Sequence, residues 1–94
     1  MEKIENSVTV SGLLHLIRVD KKNERYFPFA IRQESPWPDG STRKDFLTAR
    51  AFPPEIQEKI QGLTEGTPIK VSGTLRSSRG SGELYIYVQD LQLA

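Results

Sequence analysis

The chain contains no cysteine and a single histidine among its 94 residues. Disulfides, thiolate metal sites and cysteine nucleophiles are thereby excluded. One imidazole cannot supply the repeated ligands of a transition-metal site, so neither a metal nor another cofactor is expected. No apolar run approaches the ~20 residues of a membrane span. The opening MEKIENS has no apolar signal-peptide core. The expectation is a soluble, cytoplasmic protein without membrane attachment. Charge of one sign is also missing, because 13 Lys and Arg face 12 Asp and Glu and leave a net charge of +1. Generic polycation behaviour is ruled out, and any anion site must come from local placement of charge. No nucleophile–His–acid set is visible, and a domain this small has little volume for a deep cleft, so an enzyme is not expected.

What remains is punctuated like a small all-β domain, one unit over 1–94 with its core at about 6–93. Val8-Thr9-Val10-Ser11-Gly12-Leu13-Leu14, continuing through His15-Leu16-Ile17, alternates apolar and small polar residues as a strand, with a glycine where it bends. Residues 20–24 form a polar turn. Tyr26 to Gln33 reads as a second strand with Phe27, Phe29 and Ile31 inward, and Pro28 places part of it at an edge or a bulge. Residues 34–44 read as a loop, because two prolines, Asp39-Gly40 and Ser41-Thr42 oppose regular structure. Phe46 to Phe52 alternates with Leu47, Ala49 and Ala51 inward. Pro53-Pro54-Glu55 opens a short helix with Ile56, Ile60 and Leu63 on one stripe, fraying by Gly62 or Gly66. Pro68 to Arg76 places Ile69, Val71, Gly73 and Leu75 inward. A flexible loop over 77–82 leads to a last strand, Glu83 to Leu93, with Leu84, Ile86 and Val88 inward and Tyr85, Tyr87 and Gln89 outward. Gly12 and Gly73 are expected where curvature would crowd a side chain.

The order β-β-β-α-β-β, with one helix between strands three and four, is that of the OB-fold, a five-stranded, partly open barrel. On such a barrel the faces of strands two and three and the loops 1–2 and 4–5 take oligonucleotides or oligosaccharides. Here those places hold Phe46, Arg50 and Phe52 on strand three, and Trp37, Arg43 and Lys44 in the second loop. Lys21, Lys22 and Arg25 lie in the first loop, and Lys70, Arg76 and Arg79 on or beside strand four. Aromatics interleaved with cations suit an unpaired strand, whose bases stack while its phosphates meet the charges. Glu34, Asp39 and Asp45 lie near the same surface and oppose it electrostatically.

Over Asn6 to Leu93 the chain resembles the bacterial single-stranded DNA-binding proteins. The resemblance rests on Asn6-Ser-Val-Thr-Val-Ser-Gly12, Asp45-Phe-Leu-Thr-Ala-Arg-Ala-Phe52, Leu63-Thr-Glu-Gly66 and Ile69-Lys-Val-Ser-Gly-Thr-Leu-Arg76, in that order and spacing. It implies base stacking on Trp37, Phe46 and Phe52 and a basic strand-three residue at Arg50. A stacking aromatic in the 4–5 loop has no counterpart at Ser78-Arg79-Gly80. The family's disordered tail with an acidic tip has no counterpart after Ala94, so the chain looks like the compact relatives of the primosomal replication protein B type. The implied role is in replication, repair or recombination, with replication or recombination proteins as further partners, in a bacterial, mobile-element or plastid setting.

Oligomerisation is expected from strand one. Its face of Ser7, Thr9 and Ser11 is small and pairable, and an unpaired edge is a liability. A homodimer across a two-fold axis follows, with Tyr85 and Tyr87 assigned to an interface, or a homotetramer if a further face is buried. His15 reads as a structural or interface residue. The competing function is an OB-fold protein-interaction module of a primosome-like assembly, in which nucleic-acid binding, DNA or RNA, is weak or secondary.

Overall fold

A computed structural model describes residues 3–17 and 25–94. Lys21, Lys22 and the expected turn at 20–24 lie outside the described residues. The elements are β1 (Val8–Leu16), β2 (Phe27–Pro36), β3 (Thr42–Ala51), α1 (Pro54–Gln61), β4 (Pro68–Ser77) and β5 (Leu84–Leu93). The strands close into a barrel in the order β1-β2-β3-β5-β4. All neighbours are antiparallel except β3 and β5, which run parallel. The OB-fold expectation holds.

Period-two patterning builds the core. Leu14, Ile31 and Leu47 sit in one register row across β1, β2 and β3, and Phe29 pairs with Ala49 in the next inward row. Leu14, Phe29, Ile31, Ala49, Ile69, Val71 and Val88 are buried. Helix α1 closes one end of the barrel with Ile56 and Ile60, the two buried residues of its apolar stripe. Its polar side is tied down as well: Lys59 Nζ donates to the Leu91 carbonyl at 2.9 Å and Gln57 Nε2 to the Phe52 carbonyl at 2.8 Å.

Two glycines permit the curvature. A Cβ on Gly12 would sit 2.5 Å from Ile31 Cγ2 and 2.6 Å from the Arg32 carbonyl oxygen. Gly12 lies where β1 passes from pairing with β4 alone to pairing with β2. A Cβ on Gly73 would fall 1.9 Å from the Tyr87 carbonyl oxygen. Ser72 pairs with Asp90 and Gly73 with Val88, so Gln89 is an extra residue, a bulge. The bulge resets the alternation of β5, and Leu91 is buried together with Ile86 and Val88.

Two local readings change, and the one for Pro28 holds. Residues 34–44 are mostly strand: Glu34 pairs with Lys44, Ser35 with Arg43 and Pro36 with Thr42. Only 37–41 turn, and the turn chemistry is concentrated there. Ser41 donates its N–H and O–H to Asp39 Oδ1, Gly40 takes φ 90°, and Trp37 and Ser41 close the hairpin at 2.8 Å. Pro36 is tolerated as the last β2 residue. Pro28 sits one position beyond the last β1–β2 pair, Leu16 with Phe29, which gives it the edge position expected. Leu75 and Leu84 have inward phase but are 43% and 66% exposed. They line an apolar groove of about 330 Å³ with Val8, Val10, Leu47 and Ile86, at the barrel end away from α1.

Candidate functional site

The outer face of β3 carries Phe46, Thr48 and Arg50, alternating with the buried Ala49 and Ala51. Register places Arg50 beside Tyr87 of β5, Tyr87 beside Thr74 of β4, and Tyr85 beside Arg76. Cross-strand neighbours share a face, so one side-chain cluster forms there. The Arg50 guanidinium lies 4.1 Å from the Tyr85 ring centroid and 4.7 Å from that of Tyr26, held between two rings. Arg76 covers Tyr87 at 4.6 Å. Tyr87 stacks on Phe52, centroids 5.1 Å apart and planes 26° apart, and Phe52 meets Tyr26 at 5.1 Å.

The electrostatics of the cluster are one-sided. Among the described residues, neither Arg50 nor Arg76 forms an ion pair with a carboxylate. Arg50 donates one hydrogen bond, from Nη2 to Ser78 Oγ at 3.3 Å. A guanidinium stacked on an aromatic face is oriented through its plane while its N–H rim stays available. The cluster therefore offers ring faces and fixed cationic donors together, which is the chemistry of a base next to a phosphate.

A second aromatic pair stands on the same outer face. Phe46, 52% exposed, meets the His15 ring at 5.0 Å. Phe46 and Arg50 are four residues apart on β3, on the order of 13 Å. His15 is anchored by the turn between α1 and β4: Glu65 Oε2 lies 2.9 Å from His15 Nδ1, and Glu65 Oε1 accepts the Leu16 N–H at 2.7 Å. These hydrogen bonds, the Leu16 amide first and His15 second, hold the Glu65 carboxyl below its usual pKa. Backbone bonds from Gly66 N–H to the Leu14 carbonyl and from Leu14 N–H to the Thr67 carbonyl fasten the same turn to β1.

The remaining expected residues are dispersed. Trp37 is half-exposed at the hairpin tip, where Arg43 lies over its ring at 5.0 Å. Arg43 also pairs with Asp45 at 3.2 Å. By strand alternation Arg43 and Phe46 are on opposite faces of the hairpin, so Trp37 and Phe46 are not brought together. Lys44 shares the Phe46 face and lies 4.0 Å from Glu34 Oε1. Arg79 is exposed in the β4–β5 turn, and Arg25 immediately precedes Tyr26. Lys70 pairs with Ser11 and Gln92, six residues along β4 from Arg76 and on the order of 20 Å away. Tyr85 and Tyr87, assigned from sequence to an interface, are members of the Arg50 cluster. Sequence reasoning missed Tyr26. Its one signal was its even-numbered phase, opposite to that of the inward Phe27, Phe29 and Ile31.

The first strand has an open edge. Val8 to Gly12 pair with β4 only, while β2 joins β1 at Leu13. The Ser11 carbonyl on that edge accepts Gln33 Nε2 at 3.0 Å. By the two-residue alternation of a strand, the Thr9 amide and carbonyl face the same open side.

No protein-family model matches the chain, and no curated protein sequence matches it either. Solved structures do. The small single-stranded DNA-binding protein of Streptomyces coelicolor superposes with a TM-score of 0.70 at 14% identity, over 98% of this chain and 96% of that one. The Plasmodium falciparum SSB in complex with ssDNA gives 0.73 at 16% identity, over 100% and 98%. The dimeric N-terminal domain of the PriB protein of Thermoanaerobacter tencongensis gives 0.62 at 22% identity, over 95% and 96%. The protein is an OB-fold barrel similar in fold, end to end, to single-stranded DNA-binding proteins.

Proposed function

We propose that the protein binds single-stranded DNA without catalysing a reaction on it, by stacking bases on its aromatic face and meeting phosphates with arginine. The observation that carries this is the Arg50 cluster. Two guanidiniums are oriented on Tyr26, Tyr85 and Tyr87 with no carboxylate partner among the described residues. Buried or structural arginines are normally paired; these are aimed outward on a face where the fold takes oligonucleotides. Phe46 and Phe52 supply stacking surface, and Arg50 and Arg76 neutralise phosphate. Lys44 extends the path on the Phe46 face of the hairpin and Arg79 borders it, while Trp37 and Arg43 join it where a strand wraps over the hairpin tip to the opposite face. Duplex DNA hides its base faces, so unpaired strands are preferred. The same role places the protein in replication, repair or recombination in the cytoplasm.

The protein acts as a dimer in this reading. The open β1 edge pairs with its copy through Thr9 and Ser11, beside Ser7, as an exposed edge requires. A protein-docking role has one observation in its favour, the apolar groove containing the exposed Leu75 and Leu84.

Titration with oligo-dT of about 20–35 nucleotides, followed by anisotropy of labelled DNA and by fluorescence of the single tryptophan, tests the proposal. Binding that excludes duplex competitor and weakens with salt is expected. Absence of binding at low salt sinks it and favours the groove. Binding without a Trp37 signal keeps the function and removes the hairpin tip from the path.

A further inference from the structure

The His15–Glu65 pair is unusual in its position. It fastens the α1–β4 turn to β1 and at the same time stands against an exposed aromatic ring on the face proposed to take nucleic acid. Here Glu65 fixes His15 Nδ1 at 2.9 Å, and the imidazole leans on Phe46 at 5.0 Å. Among the described residues Nε2 has no hydrogen-bond partner. A carboxylate that accepts from Nδ1 fixes the tautomer and orientation of an imidazole and leaves Nε2 as the nitrogen that gains the proton.

We infer that His15 is a proton-dependent contact of the Phe46 stacking platform, so that single-stranded nucleic acid is bound more tightly with His15 protonated than with it neutral. The inference rests on the proposed function and adds to it a residue and a pH response.

The charges around the imidazole define the sign. From the α1–β4 turn comes Glu65. From β2 come Arg32, which adds a favourable charge to Glu65, and Glu34, 4.0 Å from Arg32 Nε. From β3 come Phe46 and Thr48, which do not titrate, and Lys44, a cation in both states that shares the Phe46 face and lies 4.0 Å from Glu34 Oε1. With the imidazole neutral, the His15–Glu65 pair carries a charge of −1 and repels a phosphate beside Phe46. With the imidazole protonated, the pair is neutral and Nε2–H is a donor. Glu65 remains ionised in both states, because its amide and imidazole hydrogen bonds favour the carboxylate. Strand binding and proton uptake at His15 are then linked: acid strengthens binding, and bound strand favours the protonated ring.

The experiment measures oligo-dT affinity of the full chain between pH 5.5 and 8, for the unaltered protein and for His15→Phe and His15→Gln. Thymine has no group that titrates in this range. The unaltered protein is expected to bind about threefold more tightly at pH 5.5 than at pH 8, the scale of one exposed charge contact. His15→Phe keeps a ring against Phe46 and is expected to lose the acid gain, so that its affinity at pH 5.5 equals its own affinity at pH 8. His15→Gln covers the case in which the phenylalanine variant fails to fold. Because this is the chain's only histidine, its imidazole NMR signal is unambiguous. At a constant pH where both ring forms are populated, it should move towards the protonated position when oligo-dT is added. Parallel pH profiles for all three proteins, or a histidine signal indifferent to DNA, overturn the inference and leave the proposed function standing. No binding by any of them overturns both.

Discussion

At the scale of single residues, Arg50 and Gly73 carry most of the meaning. Arg50 is held between Tyr85 and Tyr26, an arrangement that needs a planar cation. Arg50→Ala is expected to lower oligo-dT affinity about tenfold, and Arg50→Lys to recover little of it, since ammonium neither stacks nor presents a fork. Anisotropy titration checks both, with melting curves close to the parent as control. Arg76→Gln should flatten the log–log salt slope by about 0.7, one phosphate contact on a single strand. Lys70→Ala, remote on β4, should leave that slope unchanged. Gly73→Ala acts on the fold instead: its methyl would meet the Tyr87 carbonyl at 1.9 Å. A loss of about 1–3 kcal/mol by urea unfolding is expected. Both glycines of the barrel wall were legible, because a glycine inside an alternating run has few other uses. The Arg50 cluster was not, because its members come from four segments, and only the closed barrel brings Tyr26 and Tyr85 to Arg50 and Tyr87 to Arg76.

At the scale of elements, the five strands follow from alternation and the helix from its Ile56–Ile60 stripe behind two prolines, and the disagreements lie where one kind of signal masked another. Two prolines and an Asp-Gly pair made 34–44 look like a loop, yet Pro36 closes the strand and cross-strand pairs such as Glu34 with Lys44 continue it. The Gln89 bulge was invisible because alternation was read forward from Leu84 without allowing for a change of phase. Leu75 and Leu84 have the inward phase, but the barrel opens at that end and leaves them in a groove. The α1–β4 turn gives a pH prediction. Glu65 has a folded pKa below its unfolded value of about 4.5. Its stabilising contribution is full above that value and disappears as pH falls through the lower, folded value. The melting temperature should therefore drop on acidification below about pH 4.5, and Glu65→Gln should show a shallower drop and a lower melting temperature at pH 7.

At the scale of the whole molecule, the open β1 edge governs assembly. Thr9 turns its amide to the open side, so Thr9→Pro removes an edge donor and spares the ladder to β4. Sedimentation of the parent should give twice the 10.7 kDa chain mass, and of Thr9→Pro the single mass, with similar melting curves. Closure of the barrel has a further consequence. Nine or ten residues of each antiparallel partner run alongside one another elsewhere in the β2–β3 and β4–β5 ladders, but β3 and β5 meet only through Ala49, Arg50 and Ala51 with Ile86, Tyr87 and Val88. The wall has a seam, and Arg50 and Tyr87 straddle it. Amide hydrogens along that seam should exchange with solvent before those of the β2–β3 and β4–β5 ladders, and a strand lying across it would act as a stitch, slowing their exchange while leaving the rest of the barrel as it was.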